Sequence, residues 1–319
     1  CLKALTVLIV FSLFSSCSDD EKQLLDPSPL KYEVSFQIKG LSEKIITRSN
    51  DVTESTISKL LVVAFEENED NTKTFYKTFS PEEKGGAFSF DMLKEGKFQL
   101  YFVANAEAEL SKIINAVKSP SELENLIVNQ TYQTENGLFL MNSGEQYIFV
   151  ITKIGEIVKP STSVVTLKRL VACFEFHNYI DGFIPSKITF NNCVSQSLFI
   201  NGKNTAAESI KNSGIKTEDI LVTGHEKLFS TLYSYENLYP EMSNKISFVV
   251  YGTLNNKEVS KEIILQSKEA PENFLVKRNY RYKISLNPGD IDIDVEDIHY
   301  KLNFNIEVDE WTDEDIINN

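Results

Sequence analysis

The 319-residue chain has only three histidines, four cysteines and one tryptophan, and acidic residues outnumber basic ones. The histidines, His177, His225 and His299, stand far apart, and no CxxC pair accompanies them, so a Cys/His metal centre has no support. Cys173 and His177 share strand parity and Cys193 could approach them, but a fourth ligand is missing. A nucleophilic Cys173 with His177 as its base fares no better, because Cys173 lies in an apolar run and reads as core. No glycine-rich phosphate loop and no Ser/His/Asp constellation stands out. The formal net charge of -14 leaves no basic groove for nucleic acid and no polybasic patch for a membrane surface. The acidic stretches 290–297 and 309–315 lack the glycine turn and spaced carboxylates of a calcium loop, and read as a solvated strand face and a tail. Together these absences argue against an enzyme and against any cofactor or metal.

What the chain does contain is alternation. Tyr32, Val34, Phe36 and Ile38 are apolar and the residues between them polar, which is the period of a strand with one buried face. From Ile57 a denser run, residues 60–65, predicts a strand covered on both sides. The polar connection between them carries Arg48, within reach of a protease. Further strands are expected at 74–79, 98–104, 138–141, 146–152, 187–190, 198–200, 246–251 and 263–265, with one long strand over 164–177. Gly85 and Gly86 mark a tight turn. Residues 108–117 and 121–127 read as helices parted by Pro120, with Ser121 and Glu124 forming a capping box for the second. Residues 201–234 give no clear pattern. Near the end, Tyr282, Ile284 and Leu286 alternate, then Ile291, Ile293 and Val295, then Leu302, Phe304, Ile306 and Val308. The last two stripes have the face pattern of the first strand. They could refill a groove in a neighbouring chain or pair within their own domain.

Residues 4–14 are apolar behind Lys3 but fall short of the ~20 residues that cross a bilayer. They match the core of a secretory signal whose start is expected upstream of Cys1. Small residues precede Cys17 as in a bacterial lipobox, with Phe14 where leucine is usual, so Cys17 is the expected lipidation site. Cys173 and Cys193 then remain as a pair, either bonded in an oxidising compartment or kept as buried thiols.

Several segments together resemble the fimbrillins, the type V pilin subunits of Bacteroidota surface fimbriae. They are residues 32–39, Arg48, residues 57–65 (ISKLLVVAF), 102–105 (FVAN), 123–126 (LENL), 165–172 (VTLKRLVA), 278–286 (RNYRYKISL) and 302–311 (LNFNIEVDEW). The acidic run 18–21 is similar to a surface-export signal of such lipoproteins, although a plain solvated tether explains it as well. The resemblance implies a mainly β protein of two tandem transthyretin-like sandwiches, with short helices in the first and a C-terminal strand extension. On that reading residues 1–16 are signal, 17–48 tether and removable strand, 49–158 the first sandwich, 159–289 the second and 290–319 the donor extension. It further implies an outer-membrane lipoprotein precursor cut at Arg48 by an arginine-specific protease, and a mature form in extracellular fimbriae or on the cell surface. Loss of the strand bearing Tyr32, Val34, Phe36 and Ile38 opens a groove for a donor strand (Ile291, Ile293, Val295, Leu302, Phe304, Ile306, Val308). Its partners are other fimbrial subunits and a host protein or glycan. A shaft, anchor or tip subunit fits, as does a monomeric lipoprotein binding glycan through Tyr233, Tyr235 and Tyr239.

Overall fold

The computed structural model describes residues 31–39, 56–128, 138–144, 146–152, 157–158, 164–194, 196–200, 216–219, 228–238, 245–265, 275–288 and 302–310. It is mainly β, with two short helices. The alternating opening stretch is β1 (Tyr32–Lys39), and the dense apolar run is β2 (Leu60–Glu67), whose first six residues are buried. β3 (Lys73–Phe79) follows, then the hairpin of β4 (Glu82–Lys84) and β5 (Ala87–Met92). Gly85 and Gly86 turn that hairpin at φ +61 and +81, a pair of left-handed conformations that glycine adopts without penalty. β6 (Gly96–Ala104) is buried from Phe98 onward.

Helix α1 (Ala108–Ala116) buries Leu110 and Ile114, four residues apart on one face, and ends as Val117 turns extended. Helix α2 (Pro120–Glu124) is capped two residues earlier than the sequence suggested. Ser119 accepts a hydrogen bond from the Glu122 amide at 3.3 Å, and the Glu122 carboxylate accepts from the Lys118 amide at 2.8 Å. Pro120 at the first helical position has no amide to waste, which favours that register. Glu124 is left to accept from the Tyr101 hydroxyl at 2.5 Å, and burial with this contact pushes the Tyr101 phenol above its ordinary range.

Short strands β7 (Ile127–Val128), β8 (Met141–Asn142), β9 (Tyr147–Ile151) and β10 (Ile157–Val158) follow. The stretch expected as one long strand is three: β11 (Val164–Thr166), β12 (Lys168–Arg169) and β13 (Val171–Asn178). Then come β14 (Phe183–Asn191), β15 (Ser197–Leu198), β16 (Lys216–Asp219), β17 (Leu228–Tyr235), β18 (Ser247–Leu254), β19 (Lys257–Ile264), β20 (Tyr280–Pro288) and β21 (Leu302–Glu310).

In the first half, the sheet β11-β1-β5-β4 packs on the sheet built around β10-β9-β6-β2-β3, with β8 and β12 attached. Ring contacts such as Phe36–Phe102 at 4.7 Å and Phe79–Phe90 at 4.5 Å join the two sheets. In the second half, β17-β13-β20-β21 faces β16-β14-β18-β19 through Phe174, Phe190 and Phe248. β13 serves both cores. Val171 and Cys173 belong to the first cluster, while Ala172, Phe174 and Phe176 belong to the second. A strand apolar on both faces follows directly from that position.

A buried polar joint ties the halves. β15 pairs with β7, and the Phe199 amide donates to the Leu126 carbonyl at 2.8 Å. Over this contact Arg278 donates to Glu236 Oε2 (3.0 Å), Ser197 Oγ (2.6 Å) and the carbonyls of Leu198 (2.6 Å) and Phe199 (3.0 Å). Neighbouring Asn279, at φ 59, accepts from the Arg169 amide at 3.1 Å. Removing one member of a buried ion pair strands the other charge away from water. Glu236→Ala is therefore expected to lose about 3–5 kcal/mol in urea unfolding, whereas removing the exposed Lys112–Glu109 pair changes stability by less than ~0.5 kcal/mol.

Candidate functional site: the seat of the first strand

β1 occupies a slot between two strands that do not pair with each other. Along residues 32–36 it runs antiparallel to β5, with Tyr32 opposite Met92, Val34 opposite Phe90 and Phe36 opposite Phe88. Along Gln37, Ile38 and Lys39 it runs parallel to β11, opposite Val164, Val165 and Thr166. The alternation of the sequence is realised: Tyr32, Val34 and Phe36 are buried, and Ile38 is half-buried against the same cluster.

Phe36 is the centre of the seat. Its ring is 2% exposed and meets Phe102 at 4.7 Å, Phe88 at 5.9 Å and Phe90 at 6.3 Å. At the strand's start the Tyr32 hydroxyl donates to Glu95 at 3.1 Å, and Lys31 pairs with Asp91 at 3.3 Å on the surface. Burial, reinforced by Glu95, raises the Tyr32 phenol above its ordinary value. The sequence did not place Phe88, Phe90, Met92 and Val165 around the first strand. The alternation of Phe88, Phe90 and Met92 after the glycine turn was the available signal.

The chain returns from the 40–55 connection through an anchored stretch. Asn105, in the left-handed region at φ 59, accepts from the Ser58 amide at 3.0 Å and donates to the Thr56 and Phe139 carbonyls at 2.8 and 2.9 Å. This gives the FVAN motif at 102–105 a physical purpose: it pins the far end of that connection beside the core.

Other expected site residues are placed as follows. Cys17, Arg48, Ile291, Ile293, Val295, Tyr239, His225 and His299 lie outside the described residues. Leu302, Phe304, Ile306 and Val308 are in β21, which pairs antiparallel with β20 of the same chain as the last strand of its sheet. Cys173 and Cys193 are buried thiols without a disulfide. Their side chains belong to different apolar clusters, which explains why the bonded alternative is not met. Tyr233 and Tyr235 form no exposed platform, because Tyr235 is 1% exposed and Tyr233 packs its ring 4.8 Å from Phe139 at the joint. His177 Nε2 lies 3.5 Å from Glu175 Oε2, and Arg281 lies 3.3 Å from Glu175 Oε1. His177 and then Arg281 hold the Glu175 carboxyl below its usual range, against the opposing effect of burial. Among the described residues, no three His, Cys, Asp or Glu side chains gather as metal ligands do.

No protein-family model matches the chain, and no curated protein matches it in sequence. Solved structures do match its fold. One is a protein assigned to cell adhesion from Parabacteroides distasonis, with a TM-score of 0.58 at 16% identity, covering 89% of this chain and 98% of that one. A second is the tip fimbrial protein Mfa3 of Porphyromonas gingivalis in a C-terminally truncated form, with a TM-score of 0.57 at 12% identity, covering 88% and 99%. A third, also assigned to cell adhesion, is from Bacteroides eggerthii, with a TM-score of 0.56 at 10% identity, covering 88% and 96%. The chain thus has the fold of fimbrial and cell adhesion proteins of Bacteroidales, consistent with the fimbrillin resemblance. At these identities the likeness is one of fold.

The seat makes one stability prediction. Phe36→Ala empties an aromatic box and is expected to cost about 3–5 kcal/mol in urea unfolding, while Gln37→Ala on the exposed face stays within ~0.5 kcal/mol.

Proposed function

We propose that the chain is a structural and adhesive subunit of a cell-surface fimbria rather than an enzyme. In this reading it is exported as a lipoprotein anchored through Cys17. An arginine-specific protease then cuts after Arg48, releasing β1 together with the anchor. The emptied seat is refilled by a strand from another subunit. The two halves are the tandem transthyretin-like sandwiches, and the polar joint makes them one building block.

The observation that carries this reading is the seat itself. A strand near the start of the chain fills a slot between two unpaired neighbours and joins the rest through the connection that holds Arg48. Each large apolar side chain it withdraws exposes surface worth roughly 1.5–3 kcal/mol. The facing backbone groups of β5 and β11 lose their partners as well, a further incentive to take in a new strand.

The likeness to the tip fimbrial protein Mfa3 supports a second position for the same fold. In that position the chain would take in a strand from a neighbour and end the fibre. The glycan-binding monomer has less support, since Tyr233 and Tyr235 are spent on internal packing.

Treating purified precursor with an arginine-specific protease tests the proposal. Expected are a new N-terminus at Ser49 and a ladder of species that survives unheated denaturing electrophoresis. An intact Arg48 bond, or cleavage that leaves a monomer, refutes assembly by strand replacement.

A further inference from the structure

Of the 32 lysine and arginine side chains in the sequence, only Arg48, Arg169, Arg278 and Arg281 are arginine. Arg48 lies outside the described residues. Arg169 and Arg278 are buried, and the Arg281 side chain is 15% exposed. Among the described residues, every exposed basic side chain is a lysine. We infer that the joint between the halves is a proofreading device for the processing protease. A joined chain offers the enzyme Arg48 alone, whereas a chain whose halves have not joined is also cut at the buried arginines and destroyed. The inference rests on the arginine-specific processing proposed above and deepens it by stating which chains survive it.

Placement of the arginines is selective. In Lys168–Arg169 and Lys277–Arg278 the lysine is exposed while the arginine beside it is buried. A guanidinium suits such positions because its rigid fork of donors meets several fixed acceptors at once, which a strongly hydrated ammonium does less well. Arg278 spends that fork on Glu236, Ser197 and the Leu198 and Phe199 carbonyls. Residues 197–199 are in turn bonded to 126–128 of the first half. Arg169, in the strand that pairs with β8, donates from Nη1 to Asn279 Oδ1 at 3.4 Å. Arginines from both halves therefore meet at Arg278 and Asn279, and both lose acceptors when the halves part.

The peptide bonds are withheld with the side chains. A protease takes an extended, unpaired segment, so a bond held in folded structure is cut only from an opened state. Arg169, Arg278 and Arg281 are each followed by a buried residue, Leu170, Asn279 and Tyr282. The Leu170 amide donates to the Leu140 carbonyl at 3.1 Å, and the Asn279 amide to the Val171 carbonyl at 2.8 Å. Arg281 and Tyr282 lie in β20, paired with β13 on one side and β21 on the other. Parting of the halves frees the bond after Arg278 first, because its side-chain anchors and its amide partner lie at the joint itself.

Cut sites are read by mass spectrometry after the purified full chain is treated with an arginine-specific protease, and in parallel with a lysine-specific one. The wild-type chain is expected to be cut at Arg48 and at no other arginine. Glu236→Ala is expected to speed cleavage after Arg278 about a hundredfold or more, because proteolysis of an opened state follows its population. That cut is expected before any after Lys187, which sits in β14 between β16 and β18, away from the joint. Should this variant fail to fold, the wild-type chain in urea below its unfolding transition is expected to show the same order. Cuts after Arg278 and Lys187 that rise together overturn the inference, since the halves then open only as the whole chain unfolds. A native wild-type chain cut at Arg48 and also at Arg169, Arg278 or Arg281 overturns the proofreading alone. A chain left whole at Arg48 overturns the processing, and the proofreading with it.

Discussion

β5 and β11 turn their backbone hydrogen-bonding groups toward a gap one strand wide, and β1 is what fills it. Buried peptide groups left without partners are costly, so the first-half sheet is complete only while some strand occupies that gap. The side chains impose a second requirement on the occupant. It must place an aromatic ring among Phe88, Phe90 and Phe102, with aliphatic groups two residues away on either side. Everything else in the first half follows as support. The opposing sheet supplies Phe102, Tyr147 and Phe79 to the same core, and Asn105 pins the returning chain so that residues 40–55 bridge two fixed ends.

The second half contributes rigidity. β13 shares its residues between the two cores, and the Arg278–Glu236 pair is enclosed by carbonyls and Ser197. Such a network is costly to leave half-made, so it favours one arrangement of the halves over near alternatives.

Much of this was legible in the sequence because burial there follows simple periods. The alternation at 32–38 and the unbroken run at 60–65 became β1 and β2 with the expected faces. What escaped had physical reasons. β17 carries Ser230, Thr231, Tyr233, Ser234 and Tyr235, residues suited to strands but too polar to show a stripe. Tyr235 is buried in the first-half cluster and Tyr233 is half-buried against it, which no local pattern records. The stretch 164–177 looked continuous because its apolar residues serve three different sheets in turn. Arg278 and Asn279 were visible as part of a motif, yet nothing in their surroundings announces a guanidinium 4% exposed. The seat was half legible: the occupant showed plainly, while its lining came from strands far along the chain.

Hydrogen exchange on those backbone amides of β5 and β11 that bond to β1, rather than the β5 amides that face β4, tests the central claim most directly. The account predicts strong protection of these amides in the intact chain, fast exchange once residues up to Arg48 are removed, and renewed protection when a new strand fills the gap. Protection that survives removal of the strand would contradict it, because the gap would then have closed without any occupant.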